Sequence, residues 1–138
     1  MTQEDKELLL KDLCGRVPYR VKCKYDDRLI VNTLSVDFFW EKIEGYERYV
    51  NCTRKYDIEN IKPYLFPLSS MNEEQKKTLK VMCDWNDEEA DAQSILVLYQ
   101  KHFVMKTDVI DWLNENHFDY RGLIEKGLAN DATGLNIY

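Results

Sequence analysis

Within five residues this chain sets an imidazole, a carboxylate, a phenol and a guanidinium, as His117, Asp119, Tyr120 and Arg121. A histidine beside a carboxylate can move a proton, and an arginine beside a phenol can grip an anion, so the elbow is a candidate acid–base or anion site. The same residues also have plain structural uses. Asp119 suits a helix N-cap, His117 a helix end where a positive charge favours the dipole, and Arg121 a solvated ion pair. The structural reading takes precedence here.

Other chemistry-bearing sets are thinner. Cys14, Cys23, Cys52 and Cys83 form no C-x-x-C and have no histidine at ligand spacing, which argues for buried thiols over a zinc knot or redox dithiol. A cysteine working with His102 or His117 is a second nucleophilic option that nothing nearby supports. The five glycines make no phosphate loop, and no G-x-S-x-G elbow occurs. The acidic run from Asp84 to Asp91 lacks the spacing of a calcium loop and reads as a solvated helix start. No metal or other cofactor is therefore expected, and the balance leans away from an enzyme.

The aromatic run Phe38, Phe39 and Trp40 is a candidate anchor for a protein partner or a stacking platform for bases. Arg20, Lys22 and Lys24 alternate along a neighbouring segment and add a basic face. The whole chain counts against nucleic acid, since 25 acidic residues against 19 basic ones leave a formal charge of −6 that repels phosphate. No apolar run approaches the ~20 residues that cross a bilayer, and MTQEDKELLL carries acids where a secretory signal carries positive charge. A cytoplasmic protein with no membrane contact is expected.

The elements that must hold these groups follow from periodicity. At 138 residues with 44% apolar side chains, the chain has the size and grease of one domain with a packed core. Thr2 and Asp5 form a capping pattern, and Leu8, Leu9 and Leu13 a stripe, for a helix over 3–14 closed by Gly15. From Pro18 the period changes to two, with Tyr19, Val21, Cys23 and Tyr25 on one face and Arg20, Lys22 and Lys24 on the other. A meander of three to four antiparallel strands is predicted over 17–56, with apolar groups on both faces of Leu29–Val36 and strand-favouring residues over Tyr46–Tyr56.

Pro63 and Pro67 are expected to stop the sheet and pin a crossing segment over 57–70. A helical part follows over 71–129. Ser70 with Glu73 forms a capping box for a helix to about Trp85, and Asp87, Glu88 and Glu89 suit the first turn of the next, through Tyr99 and Phe103. Residues 94–103 also fit a buried strand, with helix favoured. Thr107 and Asp119 then cap two short helices whose buried sides are Val109, Ile110, Trp112 and Leu113, and Leu123, Ile124 and Leu128. Residues 130–138 read as a loose tail. The expected fold is α+β, an N-terminal helix, a small curled antiparallel sheet with a barrel-like version as its sharper form, and three to four C-terminal helices.

Three blocks, MTQEDKELLLKDLC, IKPYLFPLSSM and DWLNENHFDYRGLIEKGLA, resemble a family of small uncharacterised proteins from gut anaerobic bacteria and their phages or mobile elements. The resemblance implies a bacterial or phage cytoplasm and a helical scaffold with a more variable strand region, and carries over no catalytic residue. The expected function is that of a non-enzymatic accessory protein binding another protein through its sheet region. A small hydrolase or transferase using His117 with Asp119, or a Cys/His pair, is the alternative, and a nucleic-acid-binding phage protein the third reading.

Overall fold

Residues 1–25, 31–33, 58–87, 89–102 and 105–138 are described by the computed structural model. Helix α1 spans Gln3–Arg16 and begins with a full capping box. Thr2 Oγ1 accepts the Asp5 N–H, and the Asp5 carboxylate accepts the Thr2 N–H. These bonds from Thr2 hold the Asp5 carboxyl below its ordinary pKa. Gly15 does not end the helix. It lies where α1 passes residue 114, and a Cβ there would sit 3.4 Å from Asn114 Nδ2.

Strand β1 (Lys22–Tyr25) pairs antiparallel with β2 (Val31–Thr33) and with β3 (Ile61–Pro67). Val21 and Cys23 are fully buried, whereas Lys22 and Lys24 are half-buried, so the period-two reading is correct from Val21 to Lys24. Ahead of it, Val17–Tyr19 is a 3-10 turn and Arg20 adopts a left-handed φ of 58°, which takes Arg20 off the strand. The rest of the predicted meander, including Tyr46–Tyr56, lies outside the described residues.

The expectation that Pro63 and Pro67 break the sheet is overturned. Ile61–Pro67 is the central strand, with β1 on Ile61–Pro63, β5 (Asn130–Asp131) on Tyr64–Leu65 and β4 (Phe118–Asp119) on Phe66–Pro67. Each partner is short, and the prolines fall at the limits of these ladders, where a missing N–H costs little. Because β4 and β5 run parallel to β3, the sheet is mixed and open rather than purely antiparallel or barrel-like.

Beyond β3, Asn72 rather than Ser70 caps α2 (Glu73–Met82). Its side chain accepts the Gln75 N–H, and Gln75 returns a bond to the Asn72 N–H. Ser70 closes a 3-10 turn, its hydroxyl donating to the Pro67 carbonyl. Residues 92–102 are helical as favoured, forming α3 (Ala92–His102), whose start is fixed by Asp91 accepting the Ser94 N–H. Helix α4 (Thr107–Glu115) begins one residue after Lys106, so Thr107 is its first residue and not its cap.

The last predicted helix does not form. After β4 the chain makes a single turn over residues 122–127, ended by Leu128 N–H donating to Leu123 C=O at 2.8 Å and Gly127 N–H to Ile124 C=O at 3.0 Å. Gly127 sits at φ +71°, the left-handed position that such helix ends require. The tail is held too. Ala132 N–H donates to Leu65 C=O, and the Tyr138 hydroxyl donates to Tyr64 C=O at 2.7 Å while accepting the Lys22 N–H at 2.9 Å. Extending the β1/β3 register would pair Lys22 with Tyr64, so this hydroxyl replaces a direct ladder bond.

Two apolar clusters flank β3. Leu9 and Leu13 of α1 meet Val21, Cys23, Ile61, Leu65, Leu123 and Leu128 in one. Leu79, Ile95, Leu96, Val109, Leu113 and Phe118 gather α2, α3 and α4 in the other, with Phe66 packed against it. This is the α+β class expected. At Gly127 a Cβ would meet nothing within 4 Å, so the cost of substitution is that of the backbone alone. Gly127→Ala should lower unfolding free energy by about 1–2 kcal/mol, with Gly127→Asn recovering much of it, as measured by urea denaturation.

Candidate functional site

The polar elbow is built on a pair of residues in α1. Asp12 and Arg16 lie one helical turn apart and both are 0% exposed. Arg16 Nε donates to Asp12 Oδ2 at 2.7 Å and Nη2 to Oδ1 at 3.1 Å, a two-pronged bond. The same Nη2 donates to Phe118 C=O at 2.7 Å, tying α1 to β4. Arg121 Nε lies 3.3 Å from Asp12 Oδ1, so one carboxylate serves two guanidinium groups. Both groups lie over the Tyr120 ring, at 5.3 Å for Arg16 and 4.9 Å for Arg121. The Tyr120 hydroxyl completes the set by donating to the buried Asn114 Oδ1 at 3.1 Å.

His117 turns the chain from α4 into β4. Its backbone is left-handed at φ 59°, and its carbonyl accepts the Phe66 N–H at 2.9 Å, which docks β4 on β3. The ring is 9% exposed and stacks on Tyr138 at 3.7 Å between centroids, with 17° between the planes. Burial, and secondarily the nearby Arg16 charge, pull its pKa from 6.5 down to about 4. The imidazole is therefore neutral at physiological pH, the reverse of the dipole-facing cation expected from sequence.

Asp119 is committed to the backbone. Its Oδ1 accepts the Leu123 N–H at 2.9 Å and its Oδ2 the Ile124 N–H at 2.8 Å. It caps a turn, as expected, though not a helix. His117 Nδ1 has no hydrogen-bond partner, so the imidazole and the Asp119 carboxylate form no dyad through that nitrogen. A cleft of ≈ 420 Å³ between Leu68, Asp91 and Glu125 takes in Asp119 but not His117, Tyr120 or Arg121. The four elbow residues thus share a neighbourhood without converging in that cleft.

Cys23 and Cys83 are buried as expected, whereas Cys14 is exposed. Desolvation raises the thiol pKa of all three, which disfavours the reactive thiolate. Among the described residues no three His, Cys, Asp or Glu side chains gather to hold a metal, and no helix is long and apolar enough to cross a membrane. Phe38, Phe39 and Trp40 lie outside the described residues. Arg20 is exposed, off the strand, while Lys22 and Lys24 stand side by side on β1, and the register sets Lys62 directly opposite Lys24. The sequence reading missed Asp12, Arg16, Asn114 and Tyr138. Only the first pair left a signal, an acid and a base four apart on the stripe of Leu9 and Leu13.

The described residues define a mixed α+β fold with an internal polar elbow. No known protein family, curated protein or solved structure matches the chain.

Asp12→Ala leaves the buried Arg16 guanidinium without its carboxylate and should cost about 3–5 kcal/mol, whereas Asp12→Leu with Arg16→Met together should recover most of it, read as denaturation midpoints. For His117 the folded pKa lies below the unfolded one, so its contribution is complete above pH 6.5 and is lost as pH falls toward 4. Over that window the loss should be on the order of 2–3 kcal/mol. His117→Asn tolerates the left-handed backbone and removes the titrating ring, so the stability difference between wild type and variant should shrink across the same window.

Proposed function

We propose that this protein is a non-enzymatic accessory protein that recognises another protein through its sheet region, in the bacterial or phage cytoplasm that its sequence resemblance suggests. The observation that carries the reading is how the residues of catalytic type are employed. Asp119 spends both carboxylate oxygens on backbone N–H groups, His117 is stacked on Tyr138 with a depressed pKa, and the Asp12 carboxylate is paired with both Arg16 and Arg121. Groups so engaged hold the fold and have little freedom to turn over a substrate. The hydrolase or transferase alternative draws correspondingly less support from this geometry.

The recognition surface then falls to the sheet, where Lys22 and Lys24 are partly exposed and near in sequence to the aromatic run Phe38, Phe39 and Trp40. Aromatic anchors beside a polar rim are the usual composition of protein-binding patches. Affinity capture from the native host, followed by hydrogen exchange on the purified complex, tests this. Protection is expected in β1, β2 and residues 38–40. Protection confined to α2 and α3, or a turnover activity abolished by His117→Asn in a protein of unchanged stability, would overturn it.

A further inference from the structure

We infer that the partner presents an extended acidic segment to the lysines of the sheet, an inference that rests on the protein-binding reading above. Lys22 and Lys24 occupy alternate positions of β1 and so share a face, and the β1/β3 register puts Lys62 across from Lys24 and Tyr64 next to Lys22. Like charges directly opposite each other on a sheet repel and weaken the pairing. Among the described residues no carboxylate is paired with any of these three ammonium groups. An anion from outside placed against all three ammonium groups would relieve that repulsion.

The spacing selects the kind of anion. Residues two apart on a strand are separated by about 6.6–6.8 Å, and adjacent strands by about 4.8 Å. An extended peptide with carboxylates at every second position repeats its charge at that same interval, so successive acids can meet Lys22 and Lys24 while Lys62 supports the second. A nucleic acid offers denser charge and a longer track than three lysines cover, and it meets the repulsion of the −6 chain. The acidic polypeptide is therefore the better complement.

The test uses the full chain and a fluorescein-labelled peptide of alternating glutamate and serine, with fluorescence anisotropy as the readout. Binding that weakens with added salt is expected. Lys24→Gln combined with Lys62→Gln should reduce affinity about tenfold, the loss of two charge contacts, without lowering the melting temperature. Lys76→Gln should leave binding unchanged. Absent binding, binding indifferent to the double substitution, or binding of a labelled oligothymidylate in preference to the peptide would each overturn the inference. If a captured native partner still protects the sheet of the doubly substituted protein, the sheet reading stands and only the lysine contact falls. If that partner protects no part of the sheet of the wild-type protein, the broader reading falls with it.

Discussion

The buried ion pair of Asp12 and Arg16 is the interaction on which this architecture depends. Two opposite charges removed from water recover the desolvation cost only when their geometry is good and further bonds satisfy them. Here the pair is two-pronged, Arg16 also reaches the Phe118 carbonyl, and Arg121 approaches the second side of Asp12. One helix is thereby locked to a strand that lies 102 residues further along the chain. Tyr120, between the cations and Asn114, passes the same constraint to α4.

That lock sets the rest of the assembly. With Phe118 fixed against α1, His117 is placed to receive the Phe66 N–H, and Phe66 in turn packs edge-on against Phe118 and beside Tyr138. Backbone groups of successive strand residues point to opposite sides, so Phe66 and Tyr64 bond on one side of β3 and Leu65 on the other. Along the first side, β1 gives way to the Tyr138 hydroxyl and then to β4. The sheet is in this sense completed by a side chain, and the stack of Tyr138 on His117 joins that completion to the elbow.

What was legible in the sequence was local. The α1 capping pattern, the alternation from Val21 to Lys24 and the helical character of 92–102 each rest on neighbouring residues, and each is present. The errors arose where distant partners overruled local preference. Pro63 and Pro67 argue against a central strand by themselves, and only the short partners at Tyr64–Leu65 and Phe66–Pro67 make one possible. The apolar spacing of Leu123, Ile124 and Leu128 fits a helix, yet Gly127 in a left-handed conformation closes it after one turn. Of the elbow, the four polar residues were visible but their roles were not. The carboxylate that organises the cations is Asp12, far away in sequence, and the neutrality of His117 follows from burial that no local pattern reveals.

The prolines of β3 have a meaning beyond tolerance. A strand that joins its three partners through ladders of two or three residues each leaves backbone positions at every junction, and such positions are where foreign strands add on and aggregates begin. At Pro63 and Pro67 there is no amide hydrogen to offer, so an incoming strand finds the template interrupted at both junctions. The same residues that obscure the strand in the sequence thus guard it against fibrous self-association.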